Sequence, residues 1–390
     1  MSELGLFWLL LPMAALSGWL ARDRLIRNRH RNVTNQLTGA YFRGLNYLLN
    51  EEQDKALELF LKIADDNGET IEVQMALGNL FRRRGEVDRA IRIHQNLISR
   101  SHLHESQRID ALLELGEDYM SAGLLDRAEY LYGELIEGES PAPAALRQLL
   151  IIYQQEQDWH RSIAVAERLK HSFGDDLDAE IAQFHCEIAA QAWRGAKPEL
   201  AETELAHAMA ADPGCARVHM LRGEMCRASG DKSGALAFFA RAVEVDPDTA
   251  LMAVPRALDC IEGRDRLAKA IDFLSDVVNQ YVGVGPFLKR AELVCERDGR
   301  VAAIAEITER LRTKPSLRGL DRLISLMLEQ SDPGSRGNMA VFQQITRKIL
   351  DGRPIYRCGH CGFSSQAHQW QCPSCKRWNT IKPIFDITGE

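Results

Sequence analysis

"ALGNLFRRRGEVDRAIRIHQNLI" (Ala76–Ile98) and "ELGEDYMSAGLLDRAEYLYGELI" (Glu114–Ile136) follow one pattern. Each opens on Leu-Gly. An aromatic follows three residues after the glycine, a second glycine seven after it and an alanine twelve after it. "GEMCRASGDKSGALAFFARAVEVDP" (Gly223–Pro247) keeps Gly223, Gly230, Ala235, Phe239 and a closing Pro247. Such spacing describes two packed helices. The first small residue lets the second helix come close, and the glycine makes the turn between them. The alanine takes the tightest crossing, and the proline stops the second helix.

These are marks of the tetratricopeptide repeat, whose period is about 34 residues. The small residue that opens each second helix recurs near that period at Ala56, Ala90, Ala128, Ser162, Ala201, Ala235, Ala270 and Ala303. Longer steps fall at longer linkers such as "SRSHLHES" and "GESPAP", and closing prolines recur at Pro213, Pro247 and Pro315. Two units are degenerate: the Ala270 unit lacks the glycine, and the Ser162 unit has Leu150 where a small residue is usual. An ordinary amphipathic bundle has no reason to keep this phase. The expected fold is therefore all-α, a solenoid over residues 36–352.

A solenoid of this kind presents an extended concave surface rather than a catalytic centre. The sequence holds no phosphate-binding loop, no Gly-x-Ser-x-Gly and no His-Glu-x-x-His. The reading is not an enzyme. In such repeats the first helix lines the groove, which directs Asn79, Arg82, Glu117, Arg147 and Gln154 towards a partner. The basic run Arg82–Arg84 reads as a solvated helix end, with contact to an acidic partner as its functional alternative. His102 and His104 lie in a polar linker and read as solvent-facing. A net charge of −7 argues against a general nucleic-acid binder.

The two ends differ from the middle. "LGLFWLLLPMAALSGWLA" (Leu4–Ala21) carries no charge, and a membrane-spanning helix needs roughly 17–25 such residues. Trp8 and Trp19 stand near its ends, as interfacial aromatics do. A cleaved signal peptide wants positive charge before the apolar run, and here only Glu3 precedes it. Arg22, Arg24, Arg27, Arg29 and Arg31 follow it. They place the bulk of the chain in the cytoplasm and the amino terminus in the periplasm, and they suit anionic headgroups. Residues 1–21 thus read as a single-pass anchor, and residues 22–35 as an arginine-rich juxtamembrane segment.

"CGHCGFSSQAHQWQCPSC" (Cys358–Cys375) contains two Cys-x-x-Cys pairs. Each pair forms a knuckle that aims two sulfurs at one point. Cys358, Cys361, Cys372 and Cys375 therefore read as ligands of one tetrahedral ion, iron or zinc. Gly362 supplies a positive φ after the first pair, and Pro373 stiffens the second. A module of this size cannot fold on apolar burial alone, so the metal must contribute stability. Residues 353–390 resemble rubredoxin and the zinc ribbons, although Lys376 stands where a rubredoxin-like knuckle usually has glycine. The other cysteines, Cys186, Cys215, Cys226, Cys260 and Cys295, lack framework spacing and read as core residues in a reducing compartment.

The order of anchor, arginine-rich junction, repeats and four-cysteine tail, with "LGNLFRRRGEVDRAIRIHQ", "YRCGHCGF", "CPSCKRW" and "TIKPI", resembles the lipopolysaccharide assembly protein B family end to end. The resemblance implies a non-catalytic adaptor at the inner membrane of Gram-negative bacteria, facing the cytoplasm. It implies four partners or partner classes. They are the membrane protease FtsH, its substrate the deacetylase LpxC, an inner-membrane regulator that senses lipopolysaccharide, and other lipopolysaccharide assembly proteins. The role implied is to promote LpxC degradation and so regulate lipopolysaccharide synthesis. The sequence leaves a homodimer open. Two other readings of the tail are electron transfer by a rubredoxin-like iron centre, which wants a redox partner, and a nucleic-acid-binding zinc ribbon, which wants a larger basic patch. Charge adds one more expectation. Both ends are basic and the middle is acidic, and only "DGRP" joins the last repeat helix to the tail. The tail should therefore dock on the repeats, with Trp370 or Trp378 carrying the contact.

Overall fold

A computed structural model describes residues 42–390 apart from 45, 48, 51, 68, 69, 102, 138–141, 331 and 332. The expected anchor, the juxtamembrane segment and His102 lie outside the described residues. No helix among the described residues is long and apolar enough to cross a membrane.

The described residues form two compact units, divided between Glu156 and Gln157. In the first, the described helices from Gln53 onward follow one another: α1 (Gln53–Asn67), α2 (Ile71–Arg83), α3 (Val87–Ile98), α4 (Glu105–Ser121), α5 (Leu125–Glu137) and α6 (Pro143–Glu156). Each packs on the next from α1 to α6, and α2 also meets α4. This is the pattern of stacked helix pairs, in which first helices neighbour first helices. Phe60, Leu77, Leu80 and Phe81 fill the core of the leading pairs.

The second unit holds α7 (Trp159–Phe173), α8 (Asp178–Arg194), α9 (Pro198–Ala211), α10 (Ala216–Ser229), α11 (Lys232–Val245) and α12 (Ala250–Cys260). It continues through α13 (Arg266–Gln280), α14 (Gly285–Asp298), α15 (Arg300–Thr313), α16 (Leu317–Gln330) and α17 (Pro333–Leu350). A small antiparallel sheet ends it, with β1 (Tyr356–Cys358) between β2 (Ser364–Ser365) and β3 (Ile381–Pro383). Tyr356 lies opposite Ser365 on one side and Pro383 on the other. The architecture is an all-α tetratricopeptide solenoid with a small four-cysteine β module at the carboxy terminus.

The marker residues sit where the repeat needs them. Ala56, Ala90, Ala128, Ser162, Ala201, Ala235, Ala270 and Ala303 are all buried. A β-carbon on Gly78 would lie 2.3 Å from the His94 ring, one on Gly116 2.4 Å from Tyr132, and one on Gly223 2.6 Å from Phe239. Each ring stands four residues after the marker alanine. Glycine is required because a ring of the second helix rests directly on the first helix's backbone. In the degenerate unit, Leu150 holds the glycine's register position and the small Ala166 holds the ring's. The turn needs a left-handed residue. Gly85, Gly123 and Gly230 supply it at φ of 80°, 73° and 86°. Where glycine is missing, Gln157 and Ala196 adopt the same region at 59° and 54°. The Ala270 unit turns two residues early, at Gly263.

All nine cysteines are free of disulfides. Cys186, Cys215 and Cys260 are buried, whereas Cys226 and Cys295 are partly exposed.

Candidate functional site

The two knuckles of the tail are built alike. Gly362 donates to the carbonyl of Cys358 at 3.1 Å, and Lys376 donates to that of Cys372 at 2.9 Å. Each of these residues is left-handed, Gly362 at φ 78° and Lys376 at 60°. The lysine thus takes the glycine's conformation. The two turns bring Cys358 Sγ to 3.7 Å from Cys375 Sγ, and Cys361 Sγ to 3.7 Å from Cys372 Sγ. A tetrahedron with metal–sulfur bonds of about 2.3 Å has edges of about 3.8 Å, whereas a disulfide holds its sulfurs about 2.05 Å apart. The spacing therefore fits one tetrathiolate ion, and the four sulfurs all lie within 4.8 Å of one another. Thr380 Oγ1, 3.3 Å from Cys358 Sγ, and backbone N–H groups of the knuckle draw that thiol down to about 5. At Cys358 that favours the thiolate a metal needs, whereas at Cys375, despite the Arg377 N–H, burial and the neighbouring sulfurs push the thiol up to about 11.

The tail docks on the helices of its own unit. Trp378 meets Trp159 at 5.8 Å and Phe184 at 6.0 Å, edge-on in both cases. Trp370 packs against the core that holds Met220, Ala253 and Ala257. Arg217 ties the two indoles to the repeats. Its guanidinium lies 5.6 Å from the Trp370 ring and 5.8 Å from that of Trp378. It also donates to Gln183 Oε1 at 3.1 Å and to Glu187 Oε1 at 2.7 Å. Further along, Lys382 Nζ reaches Asp246 at 2.8 Å. Glu390 accepts from the Gly285 N–H at 2.8 Å, and Leu317 N–H donates to the Ile387 carbonyl at 2.8 Å. These contacts fall on α8, α10, α14 and α16, with Trp159 at the start of α7 and Asp246 just after α11, and Leu251 of α12 packs against the sheet. The tail therefore crosses five successive first helices, the helices that line the groove in repeats of this kind. Docking through the tryptophans was expected; Arg217, Trp159 and Phe184 carry no repeat signature, and no pattern in the sequence singles them out.

The first unit has a groove of about 350 Å³ lined by Met75, Asp110, Leu113, Glu114, Glu117, Ala144 and Gln148. These residues come from α2, α4 and α6, again the first helices of their pairs. Glu117 thus faces the groove, and Gln148 lies 3.4 Å from it. Arg82 does not stand in solvent as a free helix end. It donates to Glu114 at 2.7 Å, Glu117 at 2.8 Å and Asp118 at 2.8 Å. Asp118 is fully buried and also holds His94 Nδ1 at 2.5 Å. Removing one member of so buried a pair typically costs about 3–5 kcal/mol. The cluster therefore fixes the angle between α2, α3 and α4. Arg83 is exposed, and Arg84 pairs with Asp54 and Glu86. Asn79 is partly buried, and its Oδ1 has no hydrogen-bond partner among the described residues. Arg147 is exposed on α6, Gln154 half-buried there, and His104 exposed at the start of α4.

Comparison with known proteins matches both parts. Residues 356–383 match the rubredoxin metal binding domain family, and residues 75–108 and 187–250 match tetratricopeptide repeat families. Lipopolysaccharide assembly protein B of Escherichia coli (strain K12) is 37% identical over 387 residues, covering 99% of this chain and 100% of its own. The protein of that name from Haemophilus influenzae is 32% identical and covers 97% of this chain and 98% of its own. Among solved structures, the C-terminal part of a TPR repeat-containing protein from Cytophaga hutchinsonii matches with a TM-score of 0.42 at 12% identity, over 62% of this chain and 95% of that one.

Proposed function

Because the chain belongs to the lipopolysaccharide assembly protein B family, we propose that it is a non-catalytic adaptor in lipopolysaccharide assembly. The reading rests on one observation: relatives of that name align with it over almost their whole length, repeats and cysteine tail together. In this reading Leu4–Ala21 anchor the chain in the inner membrane as a single span, and the arginines after it keep the repeats in the cytoplasm. Anchoring confines the repeats near other membrane proteins and raises their effective concentration there. The groove of the first unit presents Asp110, Glu114 and Glu117, so it suits a basic or hydrogen-bonding segment. Asn79, Arg82, Glu117, Arg147 and Gln154 are the residues proposed to shape it. Holding LpxC beside the protease FtsH would promote LpxC degradation without any catalytic residue of the adaptor's own. The lipopolysaccharide-sensing regulator would restrain the same surface.

The tail's part in this is structural. Cys358, Cys361, Cys372 and Cys375 would hold one iron or zinc ion, and four thiolates leave no open coordination position. The ion would then lock the module that lies across the first helices of the second unit. Depleting the protein in cells tests the whole reading. LpxC abundance should rise and return to normal when the full chain is restored. Unchanged LpxC turnover on depletion would refute the adaptor role.

A further inference from the structure

We propose that His185, Glu204 and His207 form a second metal site, separate from the cysteine tail, that takes a divalent transition ion such as zinc. Its residues come from α8 and α9. These two helices approach closely because alanines line their crossing: Ala182, Ala189, Ala201 and Ala208 are all buried there. Glu204 and His207 are three residues apart, so they share one face of α9. His185 of α8 meets that face. Its Nδ1 lies 2.7 Å from Glu204 Oε2, and its ring centroid lies 5.3 Å from that of His207. One ligand atom from each of the three lies within 4.8 Å of the others.

The chemistry of the set points to an ion rather than to a salt bridge alone. A histidine–glutamate pair accounts for His185 and Glu204 but not for His207, whose exposed ring turns edge-on to His185 instead of standing away in water. Imidazole nitrogen and carboxylate oxygen are the donors that zinc and its neighbours accept, at about 2.0–2.2 Å. Ligand atoms on such an ion stand roughly 3.3–3.5 Å apart in a tetrahedron. Binding an ion would exchange the proton shared by His185 and Glu204 for the metal and open their 2.7 Å hydrogen bond to that spacing, and rotation of the exposed His207 side chain would bring in the third ligand. The three ligands also leave one coordination position over. Beside the two histidines lies a cavity of about 460 Å³, which they share with Ile163, Glu167, Lys170 and Asp178. A water or a small anion entering from there would complete the ion, while Lys170 of the rim is paired with Asp178. The tail differs in kind, being a closed set of soft thiolates. The two sites would therefore differ in metal preference and in exchange rate.

Metal content of the purified full chain tests the site. Zinc titrated into protein whose tail is already loaded should bind as a second equivalent of micromolar or tighter affinity. His207→Ala changes an exposed side chain and should reduce the total from two equivalents to one, with the helical circular dichroism of the parent. Cobalt gives an independent readout. Intense thiolate charge-transfer bands report the tail, and weak ligand-field bands typical of nitrogen and oxygen donors report the second site. Only the weak set should vanish in His207→Ala and in Glu204→Gln. Binding of a single equivalent by the parent chain overturns the proposal, as does a second equivalent that survives both substitutions.

Discussion

At the scale of single residues, the dock between tail and repeats creates an acid-sensitive point. His368 lies beside Tyr356 at 5.5 Å and Trp370 at 4.7 Å, and its Nδ1 is buried without a hydrogen-bond partner among the described residues. Burial first, then the positive charge of Lys382, lowers its pKa from 6.5 to about 4. The folded chain therefore refuses a proton that the unfolded chain accepts below about 6.5. Stability is complete above that pH and falls as the pH drops towards 4. At 1.36 kcal/mol per unit, the loss is about 3 kcal/mol. Denaturant midpoints of the full chain between pH 7 and pH 4 would measure it. His368→Phe keeps the ring and should make the profile shallower, leaving the slope from the cysteine sulfurs and from other shifted groups such as His219, whose pKa burial also lowers. Parallel profiles for the two proteins would show that His368 does not set the slope.

At the scale of elements, one turn in the second unit is built at a cost. Ala196 closes α8 at φ 54°, where Gly85, Gly123 and Gly230 stand in other units. A left-handed conformation costs a non-glycine residue roughly 1–2 kcal/mol, partly offset by the larger entropy of glycine in the unfolded chain. The Ala196 side chain is exposed, so its loss leaves no cavity. Ala196→Gly should therefore stabilise the unit by up to about 1 kcal/mol in chemical denaturation; a loss of stability would mean the turn is not strained. This turn also shows what the sequence could and could not disclose. The marker alanines and the Gly–ring contacts were legible because a repeat forces the same packing problem at a fixed interval. Residues that take over a glycine's conformation, Gln157, Ala196 and Lys376, were not, since their own types favour other backbone regions and only the register around them compels it. The cysteine tetrahedron was legible because its spacing is itself the geometry. The cluster of Arg82, Glu114, Glu117, Asp118 and His94 was not, because ion pairs across three helices leave no periodic trace. Arg82 consequently read as a solvated end although its charge is answered inside the fold.

At the scale of the whole molecule, the tail's position gives the metal a task at a distance from itself. Trp378 and Trp370 rest on α8, α10 and α12, while Glu390 and the Ile387 carbonyl bind the starts of α14 and α16. The sheet that orders these groups is only a few residues long in each strand. Its apolar core is correspondingly small: Tyr356, Cys358, Cys372 and Ile381. Two of those four are proposed metal ligands, so removing the ion takes away the cross-link and places unpaired thiols in the same core. The module should then unfold, and every contact it makes along five first helices should go with it. We expect chelation, or Cys372→Ser, to speed amide hydrogen exchange in the tail and also in α8, α10, α12, α14 and α16. Far-ultraviolet circular dichroism should change little, since the second helices of the pairs still pack on the first. The pattern distinguishes a staple from an appended domain. Faster exchange confined to residues 354–390, with the five helices unaffected, would show that the tail rests on the repeats without holding them.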